Sequence, residues 1–156
     1  MREVFHGQLA ALMSTLPYRA FLVAVRKDLL VARHGTDAEN PYDLALLKGV
    51  RSIREWVAVH GGGDVAWIAE ARGKREDRQL AATWSILHLV PSEEASPESL
   101  EFVPAHDNVA GLQLADLVGY PVARRILNPE RLNQAFEVVR THLCGGQEAG
   151  LWTLLP

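Results

Sequence analysis

The chain has 156 residues, 48% apolar and 22% charged, with a formal net charge of −3. That is ordinary usage for one domain able to bury a core unaided, and it supplies no global positive field to recruit nucleic acid. A single cysteine, Cys144, excludes an internal disulfide framework and, with no signal-peptide pattern, points to a reducing cytoplasm; no apolar run approaches the roughly 20 residues of a membrane span.

Residues 3–15 carry Phe5, Leu9, Leu12 and Met13 at helical spacing, which predicts a helix with these four on one side. The run "YRAFLVAVR", residues 18–26, is nearly continuous in apolar character and has strand length, as expected of a strand covered on both faces. "ENPYDLALLKGVRSIREWVAV" places Asn40 as N-cap and Pro41 at the first helical position. Leu46, Leu47, Val50, Ile53 and Val57 repeat helically, and the glycines at 61–63 end the helix. "DVAWIAEA", 64–71, reads as a strand, 76–88 as a helix, 90–102 as a surface loop rich in proline, serine and glutamate, and 99–103 as a short strand. "AGLQLADLVGYPVARRIL" and "NPERLNQAFEVVRTHL" read as two helices, the second with Pro129 near its start, and "GLWTLLP" as a closing strand. The alternation of strands and helices implies a single α/β layered domain over 1–156 with a mostly parallel central sheet. The four tryptophans fall in these elements and read as core.

Two stretches carry chemistry. In "AWIAEARGKREDRQL" the second strand ends on Glu70, at the sheet edge where α/β proteins collect ligands. Gly73 lets the chain turn, Arg72 and Lys74 add cations, and the amides opening the next helix suit phosphate. The competing account makes Glu76 and Asp77 ordinary helix-start acids with Arg72 and Lys74 as solvated partners. In "DNVAGLQLADLVGYPVARR", Gly111, Leu114, Ala115, Val118 and Val122 form the expected core stripe, with Gln113, Asp116 and Tyr120 on another side. Asp116 has apolar neighbours in sequence, so burial would require a partner or a metal; Tyr120 and Arg124 are the simple candidates. Pro121 leaves the carbonyl of Leu117 without its donor and predicts a kink just past Asp116. His106 reads as a surface loop histidine.

Taken together, "EARGKRED..L", "N.AGLQLADLVGYPVAR" and the final "GLWTLLP" resemble the bacterial and phage family called domain of unknown function 3800, with "NPYDLALL" also in keeping. The resemblance implies a ribonuclease H-like fold and a nuclease-like phosphodiesterase site using magnesium or manganese. It implies Glu70 and Asp116 as catalytic and metal-binding acids, with Asp77 a further metal ligand. Arg72, Lys74, Asn108 and Gln113 become substrate contacts, and nucleic acid the partner. The family usually opens on a strand with an Asp-Glu-Ser-Gly motif, whereas "MREVFHGQLAALM" matches a later helix. The expectation is therefore an amino-terminally shortened domain, with an exposed sheet edge that favours a homodimer. Two carboxylates seldom fix the metal pair that hydrolysis needs, so the alternative is an inert module that binds nucleic acid or protein.

Overall fold

A computed structural model of the protein describes residues 2–61, 65–88, 99–144 and 153–155. Its regular elements are α1 (Arg2–Thr15), β1 (Val23–Val25), α2 (Lys27–His34), α3 (Pro41–His60), β2 (Trp67–Glu70), α4 (Lys74–His88), β3 (Leu100–Val103), α5 (Ala110–Leu127), α6 (Gln134–Arg140) and β4 (Thr153–Leu155). The chain is mixed α/β with helix predominant. It falls into two compact units, Met1–Leu22 with Gln113–Thr153, and Val23–Leu112 with Leu154–Pro156.

The first unit is helical. Met13 of α1, Val118 and Val122 of α5, Phe136 and Val139 of α6, and Leu143 form one buried cluster, with Leu9, Leu114 and Ile126 packed against it. On α5 the inward row is Leu114, Val118, Pro121, Val122 and Ile126; Gly111 and Ala115, expected in the core stripe, are exposed. The expected α1 face is likewise corrected, because Leu9 and Met13 turn inward while Phe5 and Leu12 stay exposed. The last helix begins later than Pro129. Residues 128–131 close a turn in which the Arg131 amide donates to the Asn128 carbonyl, and Asn133 becomes the N-cap. Its Oδ1 accepts from the Phe136 amide at 3.1 Å, and its Nδ2 donates to the Pro121 carbonyl at 2.8 Å. One side chain thus starts α6 and ties it to α5.

The apolar run 18–26 is not one strand, because its two ends find different partners. Ala20 makes an isolated parallel bridge to Leu143, donating to the His142 carbonyl at 2.9 Å and accepting from the Cys144 amide at 2.8 Å. Three residues later β1 begins, and it pairs with β4.

The second unit holds the remaining strands. Asn40 caps α3 as expected, its Oδ1 accepting from the Tyr42 amide at 2.9 Å, with Pro41 in the first helical position. Gly61 ends α3 at φ 75, a conformation that favours glycine. Strands β2 and β3 run parallel, in register from Trp67 opposite Leu100 to Glu70 opposite Val103, with α4 in the crossover between them. Trp67 and Trp84 meet edge to face at 5.2 Å, fixing α4 on β2, and Trp84, Val50 and Val103 are buried.

The expected central sheet is corrected. Among the described residues there are two separate two-stranded sheets, because the strands are three or four residues long and no described strand bridges the pairs. The segment after β1, not assigned from sequence, is α2. Gly62, Gly63, Asp64, most of the expected loop at 90–102, Trp152 and the ends of the closing strand lie outside the described residues. Among the described residues no helix is long and apolar enough to cross a membrane.

Phe136 is 3% exposed and Leu132 80% exposed. Phe136→Ala is expected to cost about 3–5 kcal/mol in urea unfolding, whereas Leu132→Ala should stay within about 0.5 kcal/mol. Equal costs would contradict this core.

Candidate functional site

The site is built where β2 meets α4. Glu70 is the last residue of β2 and its side chain is exposed. The chain then reverses through Gly73, whose φ of 124 no L side chain adopts without strain. Asp77, in the first turn of α4, holds this reversal from the helix side. Its Oδ1 accepts from the Arg72 amide at 2.9 Å and its Oδ2 from the Gly73 amide at 3.3 Å. Two donors that a tight turn would leave without partners are thereby satisfied, and a carboxylate sits at the positive end of the helix.

The start of α3 forms the facing wall. Asp43 accepts from the Thr83 hydroxyl at 2.9 Å and from Gln79 Nε2 at 3.3 Å, which ties α3 to α4. Beside it the exposed Tyr42 ring carries two cations, Lys27 Nζ at 4.8 Å from the ring centre and the Arg72 guanidinium at 5.4 Å. Between these walls lies a cleft of about 500 Å³, lined among others by Tyr42, Asp43, Glu70, Arg72, Glu76 and Asp77.

Charge in the cleft is uneven. Asp43 and Asp77 have their oxygens on internal donors. Glu70 and Glu76 make no side-chain hydrogen bond or ion pair among the described residues. Nearby, Arg26 grips Asp28 through Nε at 2.9 Å and Nη2 at 2.5 Å, holding that carboxyl at about 2, well below its ordinary value. Arg26 is therefore locally neutralised, whereas Lys27 and Arg72, both over the Tyr42 ring, have no carboxylate partner among the described residues.

The residues expected from sequence fall in both units. Glu70, Arg72 and Asp77 line the cleft, while Lys74 is exposed at the first position of α4 and is not part of the lining. Asn108 adopts a left-handed conformation at φ 50, and its Nδ2 donates to the His106 carbonyl, a role inside its own turn. His106 is exposed and lies 3.3 Å from Asp107. Gln113 and Asp116 belong to the first unit, on the exposed side of α5. Asp116 is exposed beside the exposed Leu117, and its carboxylate has no hydrogen-bond or ion-pair partner among the described residues, so the partner or metal that burial would require is not called for. Arg124, its candidate partner, lies instead over the Tyr120 ring at 5.8 Å. Lys27, Tyr42 and Asp43 were missed as site residues. "ENPYD" marks a helix start, but nothing local in it says which strand end that helix will face.

Among the described residues no three histidine, cysteine, aspartate or glutamate side chains are grouped so as to hold a metal ion. Two uncommitted carboxylates lining one cleft still fit a hydrated hard cation, which commonly takes one or two protein carboxylates and completes its shell with water and substrate phosphate.

Asp77→Ala should cost about 1–2 kcal/mol in thermal or urea unfolding by freeing the Arg72 and Gly73 amides. A loss within experimental error would mean the turn does not depend on this carboxylate. The Arg26–Asp28 contact gives a separate test. Because the folded value lies below the unfolded one, this contact's stabilisation is present above the ordinary carboxylate range and is lost as pH falls through about 2. A carboxyl-carbon NMR titration should show the Asp28 midpoint near 2 and return it towards the ordinary range in Arg26→Ala.

No protein-family model, no curated protein and no solved structure matches this chain, so a functional reading must come from the cleft's own chemistry.

Proposed function

We propose that the chain is a divalent-metal-dependent phosphodiesterase of the nuclease class, with a ribonuclease H-like arrangement around the β2–α4 turn. One observation carries this reading: Glu70, at the carboxyl end of a parallel strand, lines a cleft together with the uncommitted Glu76 and the cation of Arg72. Carboxyl ends of parallel strands are where α/β proteins place ligands. Glu70 and Glu76 supply hard oxygen donors, and Arg72 supplies a charge for phosphate. Asp77 acts one step back as a positioning residue, because it fixes the backbone that aims Arg72. When bound, magnesium or manganese supplies Lewis acidity and an ionised water. The protein's part is to hold Glu70 and Glu76 uncommitted until the cation arrives and to keep a phosphate oriented on Arg72.

A second reading has an observation of its own. Two of the four cleft acids, Asp43 and Asp77, are engaged by internal donors, which leaves few ligands for a metal pair. On that reading the cleft takes a cation weakly and binds a phosphodiester without cutting it.

Melting with and without millimolar manganese, beside a nuclease assay on single- and double-stranded substrates, separates the readings. A site of millimolar affinity at several millimolar metal should gain about 1 kcal/mol, roughly 2–4 °C in Tm. Glu70→Gln and Glu76→Gln should each remove most of that shift while leaving the metal-free Tm unchanged or higher, because repulsion between acids falls. A manganese shift with cleavage supports the enzyme, and a shift without cleavage supports the binding module. If manganese leaves Tm unaltered and no substrate is cut, both readings fail.

A further inference from the structure

Tyr42 is an exposed aromatic at the start of α3, 54% accessible, on the lining of the cleft. Apolar rings at a surface are ordinary; a ring that collects two cations is less so. Lys27 lies two residues beyond the end of β1 and Arg72 two residues beyond the end of β2, so two separate strand ends deliver charge to one ring. Both distances are measured to the same ring centre, so the two charges are no further apart than about one Debye length, ~10 Å at moderate salt. Like charges at that range repel. Neither side chain has a carboxylate partner among the described residues, although Glu70, Glu76 and Asp77 line the same cleft. The neighbouring Arg26, by contrast, is neutralised by Asp28.

We propose that Tyr42, Lys27 and Arg72 form a clamp for single-stranded nucleic acid at the cleft mouth, the ring stacking on one base and the two cations taking the adjoining phosphates. This rests on the phosphodiesterase reading and names its substrate class. The combination of a flat ring and flanking cations is the one that binds single strands irrespective of sequence. A duplex offers no exposed base face to a ring of this kind, so it gains only the phosphate contacts. The unliganded contacts do not block the exchange. An exposed cation–π contact is worth about a two- to fivefold preference, against roughly 5- to 150-fold for a base stacked on an aromatic ring. Long lysine and arginine side chains therefore leave the ring for phosphate when a base arrives. Net charge over the whole chain is −3, so the attraction must come from this patch and must fall steeply with salt.

The test is fluorescence anisotropy of the intact chain in EDTA, with labelled oligothymidylate and oligouridylate of roughly 12 nucleotides. The same assay takes a duplex of that length and an abasic strand. Single strands should bind more tightly than duplex, with the DNA and RNA arms reporting which sugar is preferred. Tyr42→Ala should weaken single-strand binding about 5- to 150-fold, Tyr42→Trp should retain it, and the abasic strand should gain nothing from the ring. Lys27→Ala should lower the dependence of log affinity on log salt by about 0.7, one phosphate's share in a single strand. Circular dichroism melts of each variant exclude unfolding as the cause. The clamp is overturned if Tyr42→Ala binds like the parent chain, if duplex binds as tightly as single strand, or if no single strand binds. Because the measurement is made without metal, its failure leaves the manganese melting shift intact, and absence of that shift leaves this binding intact.

Discussion

The second unit depends on a carboxylate turned back on its own chain. Asp77 reaches from the first turn of α4 to the amides of Arg72 and Gly73, and by doing so decides where β2 stops. The shape of the cleft follows from that stop. Glu70 is left at the strand's end, Arg72 is swung towards Tyr42, and the first turn of α4 lines the cleft with Glu76 and Asp77. Gly73 is the covalent counterpart of the same constraint, because its positive φ completes the reversal that Asp77 secures. A second carboxylate does similar work on the facing wall, where Asp43 joins α3 to α4 through Thr83 and Gln79. The cleft is thus held open by acids whose charge is already occupied, while the two acids beside them remain uncommitted.

That division sets the chemistry. Carboxylates engaged by backbone amides or hydroxyls are held in one geometry and make poor exchangeable ligands. Uncommitted ones repel each other and favour a cation. The cations at the mouth are similarly divided. Arg26 is bound up with Asp28, whereas among the described residues Lys27 and Arg72 rest only on an aromatic ring, a contact weak enough to give way to phosphate. The surface therefore has some charges paired and others held loosely.

The sequence was most legible where local signals decide structure. Asn40 and Pro41 start α3 as expected because an N-cap and a first-turn proline act within four residues. α5 runs over the expected residues for the same reason, its apolar period being unbroken. Legibility failed where a distant partner decides. The run 18–26 looks like one strand, yet Ala20 and Val23–Val25 answer to different partners. The site shows both cases. Glu70, Arg72 and Asp77 could be read from one short stretch, whereas Tyr42 and Asp43 come to the cleft only through the packing of α3 on β1 and α4, and Lys27 only through the Tyr42 ring.

The central claim, that the cleft beside the β2–α4 turn receives a hard cation, can be located residue by residue. Manganese is paramagnetic and broadens amide signals steeply with proximity, so a titration of the isotope-labelled chain in nitrogen–proton NMR maps where it sits. The account predicts early, selective broadening of the amides around Glu70, Arg72, Gly73 and Glu76, reversed by EDTA. Uniform broadening, or broadening centred on acids remote from this cleft, would contradict it.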